Sequence, residues 1–133
     1  VDYNNKLEKI ESQGKTGYTF KYWSTTQDGA EFDFNTLITE GITLYAVYEI
    51  NEYSVNFIDQ GNVYGDTQKV KYNNVAVKPE TDPIKEDYTF KYWSLEENGV
   101  AYDFNTKITK DITLYSVYSV NNYKVSFIDN GTK

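Results

Sequence analysis

Apolar residues recur at every second position through several short segments of the chain. Tyr18, Phe20 and Tyr22 alternate with Thr19 and Lys21. Tyr53, Val55 and Phe57 alternate with Ser54 and Asn56, and Tyr123, Val125 and Phe127 with Lys124 and Ser126. A period of two places successive side chains on opposite faces of a strand. These segments therefore predict half-buried strands with one wet face. The segment 42–48 differs, because Ile42, Leu44 and Ala46 share one face while Tyr45 and Val47 share the other. Both faces are apolar, which predicts an inner strand, and 112–118 is its counterpart. Asp28-Gly29 and Asn98-Gly99 stand where a tight hairpin needs positive φ, as do Gln60-Gly61 and Asn130-Gly131. Helical signals are few. Leu7 and Ile10 would share a face of a short helix over 5–12, and Asp-Phe-Asn-Thr at 33–36 and 103–106 fits one helical turn or a loop crossing the sheet. Pro79, in the counterpart of the first of these, argues against a long helix there, and Pro79 and Pro83 break any strand ladder.

The pattern is written twice. Tyr-Thr-Phe-Lys-Tyr-Trp-Ser begins at Tyr18 and again at Tyr88, and 18–61 aligns without gaps to 88–131. Upstream, Val1-Asp-Tyr-Asn-Asn matches Val70-Lys-Tyr-Asn-Asn with a slip of one residue. The strand at 53–61 could belong to the module before it or the one after it. One phase makes 53–118 a complete module. It leaves 1–52 as a partial module, completed by a strand from 53–61 or 119–133, and 119–133 as the opening strand of a further repeat. A missing strand at one end and a spare one at the other predict strand exchange within the chain or with a neighbour.

Composition narrows the chemistry. The 133 residues include no Cys, His or Met, so disulfides, thiol nucleophiles and imidazole acid–base catalysis are excluded. The net charge of −7 repels phosphate backbones and anionic lipid, so neither nucleic acid nor a membrane is an expected partner of this segment. Fourteen Tyr and seven Phe are too many aromatics for a disordered chain. Trp23 and Trp93 are core anchors or, if exposed, platforms for sugar rings. Tyr22 and Tyr92 are the candidate binding surface. Asp33 and Asp103 recur, as do Asp59 and Asp129, each one step from a turn, where Asp accepts backbone N–H bonds. A glycosidase would need two acids converging in a cleft. A calcium loop over 59–66 has no counterpart in the second copy.

Tyr18, Phe20, Trp23, Phe34, Leu44 and Tyr48 in the first copy, with Pro83, Tyr88, Phe90, Trp93, Phe104, Leu114 and Tyr118 in the second, fall on a known pattern. The chain resembles the Listeria–Bacteroides repeat, the module of internalin-type B-repeats and many Gram-positive surface proteins. Tyr22 and Tyr92 stand where that family usually has Gly, and Asp87 replaces the Gly that the first copy keeps at Gly17. The resemblance implies a mainly β or α+β fold of tandem small β-grasp-like modules with a short helical turn. It implies a structural core of Tyr18, Phe20, Trp23, Phe34, Leu44, Tyr88, Phe90, Trp93, Phe104 and Leu114. It implies a secreted segment at the bacterial cell surface, anchored at the cell wall, that serves as a spacer or in adhesion. No catalytic centre, metal or cofactor is implied. A host or cell-wall glycan or protein is the partner to expect, with a glycan- or protein-binding module using exposed Tyr and Trp as the alternative function.

Overall fold

The computed structural model describes residues 1–131. Seven strands run in chain order: β1 (Tyr18–Ser24), β2 (Tyr45–Ile50), β3 (Glu52–Asp59), β4 (Asn62–Val63), β5 (Gln68–Lys71), β6 (Tyr88–Ser94) and β7 (Ile112–Val120). The described residues contain no helix. The short helix expected over 5–12 is replaced by irregular chain in which Lys6 bridges Leu37. Asn4 N–H donates to the Ile38 carbonyl at 2.6 Å and Ile38 N–H to the Asn5 carbonyl at 2.9 Å. So short a helix is marginal by itself, and here the neighbouring backbone groups pair with a distant segment instead. The segments 33–36 and 103–106 are turns, each closed by a Thr N–H on an Asp carbonyl at 3.0 Å.

The chain forms two compact units, one of residues 1–53 with 69–75 and 107–110, the other of 54–68, 76–106 and 111–133. In the first, β1 and β2 form an antiparallel pair. In the second, the strand order is β4-β3-β7-β6. β3 and β7 are parallel, with Val55 opposite Ile112 and Ile58 opposite Tyr115. β7 is thus an inner strand, as its two apolar faces predict. β2 is not: among the described residues β1 is its one strand neighbour, and it begins only at Tyr45, so 42–44 falls outside it.

Both copies contain the same irregularity. The register of β1 on β2 shifts between Phe20 and Tyr22, and that of β6 on β7 between Phe90 and Tyr92. Lys21 and Lys91 are therefore bulge residues. Strict alternation would put Tyr22 on the face of Phe20. Instead Phe20 lies opposite Tyr48 and Trp23 opposite Ala46, while Tyr22 lies opposite Val47. Paired residues share a face, so the bulge turns Tyr22 to the other side and brings Phe20 and Trp23 together, their rings 5.5 Å apart. Phe90 and Trp93 repeat that distance.

The second unit has the denser core. Trp93 is 1% exposed and Phe57 2%, with Val55 and Leu114 fully enclosed and Val117 buried. Phe57 meets Trp93 edge-on at 5.0 Å and lies parallel to half-buried Phe104 at 6.5 Å. In the first unit Val47 and Ile38 are buried, but Tyr18, Phe20, Trp23, Phe34 and Leu44 are only half-buried. Tyr88, expected in the core, is 39% exposed. It stands on the outer part of its strand, where Lys85 covers its ring.

The expected turns carry positive φ at Asp28 (54°), Asn98 (58°), Gln60 (50°) and Gly61 (83°), but only the turn at 60–61 closes a hairpin, between β3 and β4, since irregular chain follows the other two. Residues 121–131 form no strand. The alternating pattern at 121–129 thus pairs with no strand of its own chain among the described residues, and the last two residues of the expected 119–133 strand lie outside the described residues.

Candidate functional site

The parallel register of β3 on β7 builds a polar cluster in the second unit. With Ile58 opposite Tyr115, the next residue of β3, Asp59, reaches two side chains of β7. Asp59 Oδ1 accepts from Ser116 Oγ at 2.7 Å and from the Tyr118 hydroxyl at 2.6 Å. Beside this cluster runs a groove of about 500 Å³, lined by Ile58, Gln60, Lys85, Tyr88, Tyr115 and Tyr118 among others. Lys85 Nζ stands 4.0 Å from the centre of the Tyr88 ring and 5.6 Å from that of Tyr118. An ammonium over a ring face is attracted by the ring quadrupole. The groove therefore offers a cation, aromatic faces and amide groups in one place.

Burial raises the pKa of the Tyr118 phenol to about 12, helped by its hydrogen bond to Asp59 and by the charge of that carboxylate. The neutral phenol is the form that folding favours. Its contribution to stability is complete below the ordinary tyrosine pKa of about 10 and is lost as pH rises through about 12. Denaturant midpoints measured by circular dichroism should fall across that window. Asp59→Asn should lower the midpoint of one tyrosine in an ultraviolet phenolate titration, but not fully to the ordinary value, because burial is the larger cause. An unchanged titration would mean that the Asp59–Tyr118 bond is absent in solution.

The first unit carries the lysine–tyrosine part of this arrangement without the carboxylate. Lys15 Nζ is 4.2 Å from the centre of the Tyr18 ring, and the Tyr48 hydroxyl bonds Ser12 Oγ at 2.5 Å.

The remaining candidates make hydrogen bonds within their own unit. The Tyr22 and Tyr92 hydroxyls donate to the carbonyls of Gly29 and Gly99 at 3.0 Å, tying each half-buried ring to the turn that follows its strand. Trp93 is too deeply buried to receive a sugar ring. Trp23, half-buried, donates its Nε1–H to the Ile10 carbonyl at 2.9 Å. Asp33 and Asp103 each accept a backbone N–H two residues on at 2.8 Å, as Asp129 does from Gly131. The capping role suggested by sequence fits these three acids. It misses Asp59, whose partners lie on a strand 57 and 59 residues away. The recurrence of Phe-Ile-Asp at 57–59 and 127–129 was the available signal, but its meaning depends on a parallel register that no local pattern encodes.

An all-β unit written twice, whose recurrent polar side chains fasten its own turns and strands, defines a tandem structural repeat. Residues 1–47 and 53–117 match the sequence model of the Listeria-Bacteroides repeat domain, and the chain belongs to that family. Over 124 residues, 88% of the chain, it is 39% identical to a Gly-rich protein of Evansella cellulosilytica that carries a provisional membrane-protein name. Over 127 residues, 91% of the chain, it is 35% identical to Internalin H of Listeria monocytogenes. The matches span 14% and 23% of those relatives' lengths, so the chain corresponds to a small part of each.

Proposed function

We propose that this chain is a non-catalytic repeat segment of a bacterial cell-surface protein, a spacer that holds other parts of that protein away from the cell wall. The observation that carries the reading is the duplication itself. Two copies keep the same bulge, the same turn and the same aromatic pair, and these features maintain shape. Membership of the repeat family and similarity to Internalin H support an extracellular, cell-wall-attached setting in a Gram-positive organism. The modules are read as β-grasp-like: in the second, the parallel pairing of β3 with β7, flanked by antiparallel β4 and β6, supports that topology, with irregular chain in place of the helix. An antibody against this chain should label intact cells of the producing organism. Labelling confined to permeabilised cells would overturn the surface assignment.

The groove beside Tyr88 and Tyr118 favours a second reading, adhesion through a glycan or protein ligand. Aromatic faces next to a lysine and amides suit a sugar ring or a tyrosine-rich peptide surface. A pure spacer predicts no retention of the chain on a glycan array or on cultured host cells. Retention that Tyr88→Ala abolishes would make adhesion the function, since this exposed ring can be removed without emptying the core.

A further inference from the structure

After β1 and after β6 the two copies share one loop frame and hang different side chains on it. In the second unit Glu96 N–H donates to Ser94 Oγ at 3.2 Å, Gly99 N–H to the Glu96 carbonyl at 3.1 Å and Tyr102 N–H to the Trp93 carbonyl at 2.8 Å. In the first unit Thr26, Gly29 and Phe32 make the same three bonds at 3.2, 3.2 and 2.7 Å. The hydroxyls of Tyr22 and Tyr92 brace the two turns alike. The backbone is thus held by parts that both copies keep, which leaves the side chains between them free to differ. Where the first copy has Thr25, Ala30 and Glu31, the second has Leu95, Val100 and Ala101. A hydroxyl and a carboxylate are gone and aliphatic carbon has been gained.

That carbon does not enter the core. Leu95 is 52% exposed and Val100 83%. Single exposed apolar side chains are ordinary on a protein surface. These two instead line one groove of about 700 Å³, together with Tyr92, Ala101 and Tyr102. It shares only Asn98 with the groove beside Tyr88 and Tyr118. Apolar surface gathered on a braced loop lets a ligand bury area at a small ordering cost. The same groove has an acidic border. Glu96 and Asp103 line it, and Glu97 is next in the turn, while the first copy has Thr26 and Gln27 in place of the two Glu. Among the described residues the one ion pair is Lys21–Glu49, so no lysine neutralises this border. Lys91 Nζ stands 5.3 Å from the centre of the Tyr92 ring, but Lys91 does not line the groove.

We propose that this groove docks a short segment of another protein in which apolar residues are flanked by Lys or Arg. The apolar side chains bury against Leu95, Val100 and the two tyrosine rings. A flanking Lys or Arg extends that contact with its aliphatic stem while its charged head reaches Glu96 or Asp103. A second copy of the chain is a poor occupant, because a net charge of −7 and an identical acidic border oppose it. A sugar ring stacks on aromatic faces, whereas the side chains most exposed in this groove are aliphatic. The inference goes beyond the spacer reading, since holding a distance needs no such groove.

The test uses the whole chain and a capped peptide, Lys-Leu-Val-Leu-Lys. Titration followed by nuclear magnetic resonance should move the backbone signals of 95–101 and leave those of 25–31 in place, and the affinity should fall as salt rises. Capped Glu-Leu-Val-Leu-Glu and Lys-Ser-Gly-Ser-Lys, each lacking one half of the recognition, should bind about tenfold more weakly or worse. Leu95→Thr with Val100→Ala should weaken binding about tenfold, because apolar carbons leave the groove. Both are the first copy's own residues on the same frame, so circular dichroism should be unchanged. Glu96→Thr with Glu97→Gln, again the first copy's residues, should reduce the salt dependence. Unmoved signals at 95–101, equal binding of the acidic peptide, or an affinity that Leu95→Thr with Val100→Ala leaves unaltered would each overturn the proposal. So would movement of the same signals by the trisaccharide of N-acetylglucosamine but not by the peptide, which would make the groove a glycan site, or by raising the concentration of the chain alone, which would make a second copy the occupant. Absence of cell-surface labelling would instead strike the spacer reading and leave the docking groove standing.

Discussion

Trp93→Ala should destabilise the second unit by about 3–5 kcal/mol, the range for emptying a buried aromatic site. Trp93 is 1% exposed and is wedged between Phe57 at 5.0 Å, Phe90 at 5.5 Å and Tyr64 at 5.5 Å. Four rings meet there, so neighbours cannot close the gap without moving a strand. A loss of that size is a large fraction of the about 5–15 kcal/mol that holds an ordinary domain folded. Trp23→Ala should cost clearly less, although the local sequence is the same seven letters. Its ring is half-buried, and an apolar cavity lies beside it. Urea unfolding followed by circular dichroism, with the remaining tryptophan as a local probe, separates the two. Equal losses for the two variants would mean that the units are packed alike and that the asymmetry described above is absent in solution.

Gly17→Ala should destabilise the first unit by about 2–5 kcal/mol, from two independent sources. Gly17 has φ +81°, where an L side chain is strained by about 1–2 kcal/mol. A Cβ there would also overlap the ring of Tyr72, and overpacking of this kind costs about 1–3 kcal/mol. Tyr72 is held in place by its own N–H, which donates to the Asn51 carbonyl at 2.8 Å, while Asn51 N–H returns to the Gly17 carbonyl at 2.9 Å. Gly14→Ala is the control. Gly14 has φ +88° but nothing within 4 Å of the added Cβ, so it should show the backbone strain alone. If the two variants lose the same stability, Tyr72 is not packed on Gly17. The second copy shows what a side chain requires at this place. Asp87 adopts φ 66°, and its Oδ1 accepts from the Tyr123 hydroxyl at 3.1 Å.

The turns were legible from Asp28-Gly29, Asn98-Gly99 and Gln60-Gly61, because positive φ is a local demand that few residues meet, but only Gln60-Gly61 joins two paired strands as a hairpin. The strands at 18–24 and 88–94 were legible from alternation, but which face Tyr22 and Tyr92 take was not. A one-residue bulge reverses the face of everything after it, and Lys21 looks like any other strand residue. The 5–12 segment reads as helical by its spacing of Leu7 and Ile10. It is not helical because adjacent backbone groups find partners at Ile38, more than thirty positions away. The Asp59–Tyr118 bond was hidden for the same reason, since it joins strands brought side by side by a long crossover.

By itself the sequence determined the repeat, the all-apolar faces of Ile-Thr-Leu-Tyr, the turn positions and the residues able to form two cores, since each depends on neighbours a few positions apart. Tertiary structure decided which of those capacities is realised. Ile-Thr-Leu-Tyr is entirely strand at 112–115 and strand only from its last residue at 42–45, while Tyr-x-Val-x-Phe-Ile-Asp is strand at 53–59 and not at 123–129. Identical letters diverge because a strand is stabilised by hydrogen bonds and side-chain burial against a second chain segment, and no stretch of sequence contains its own partner.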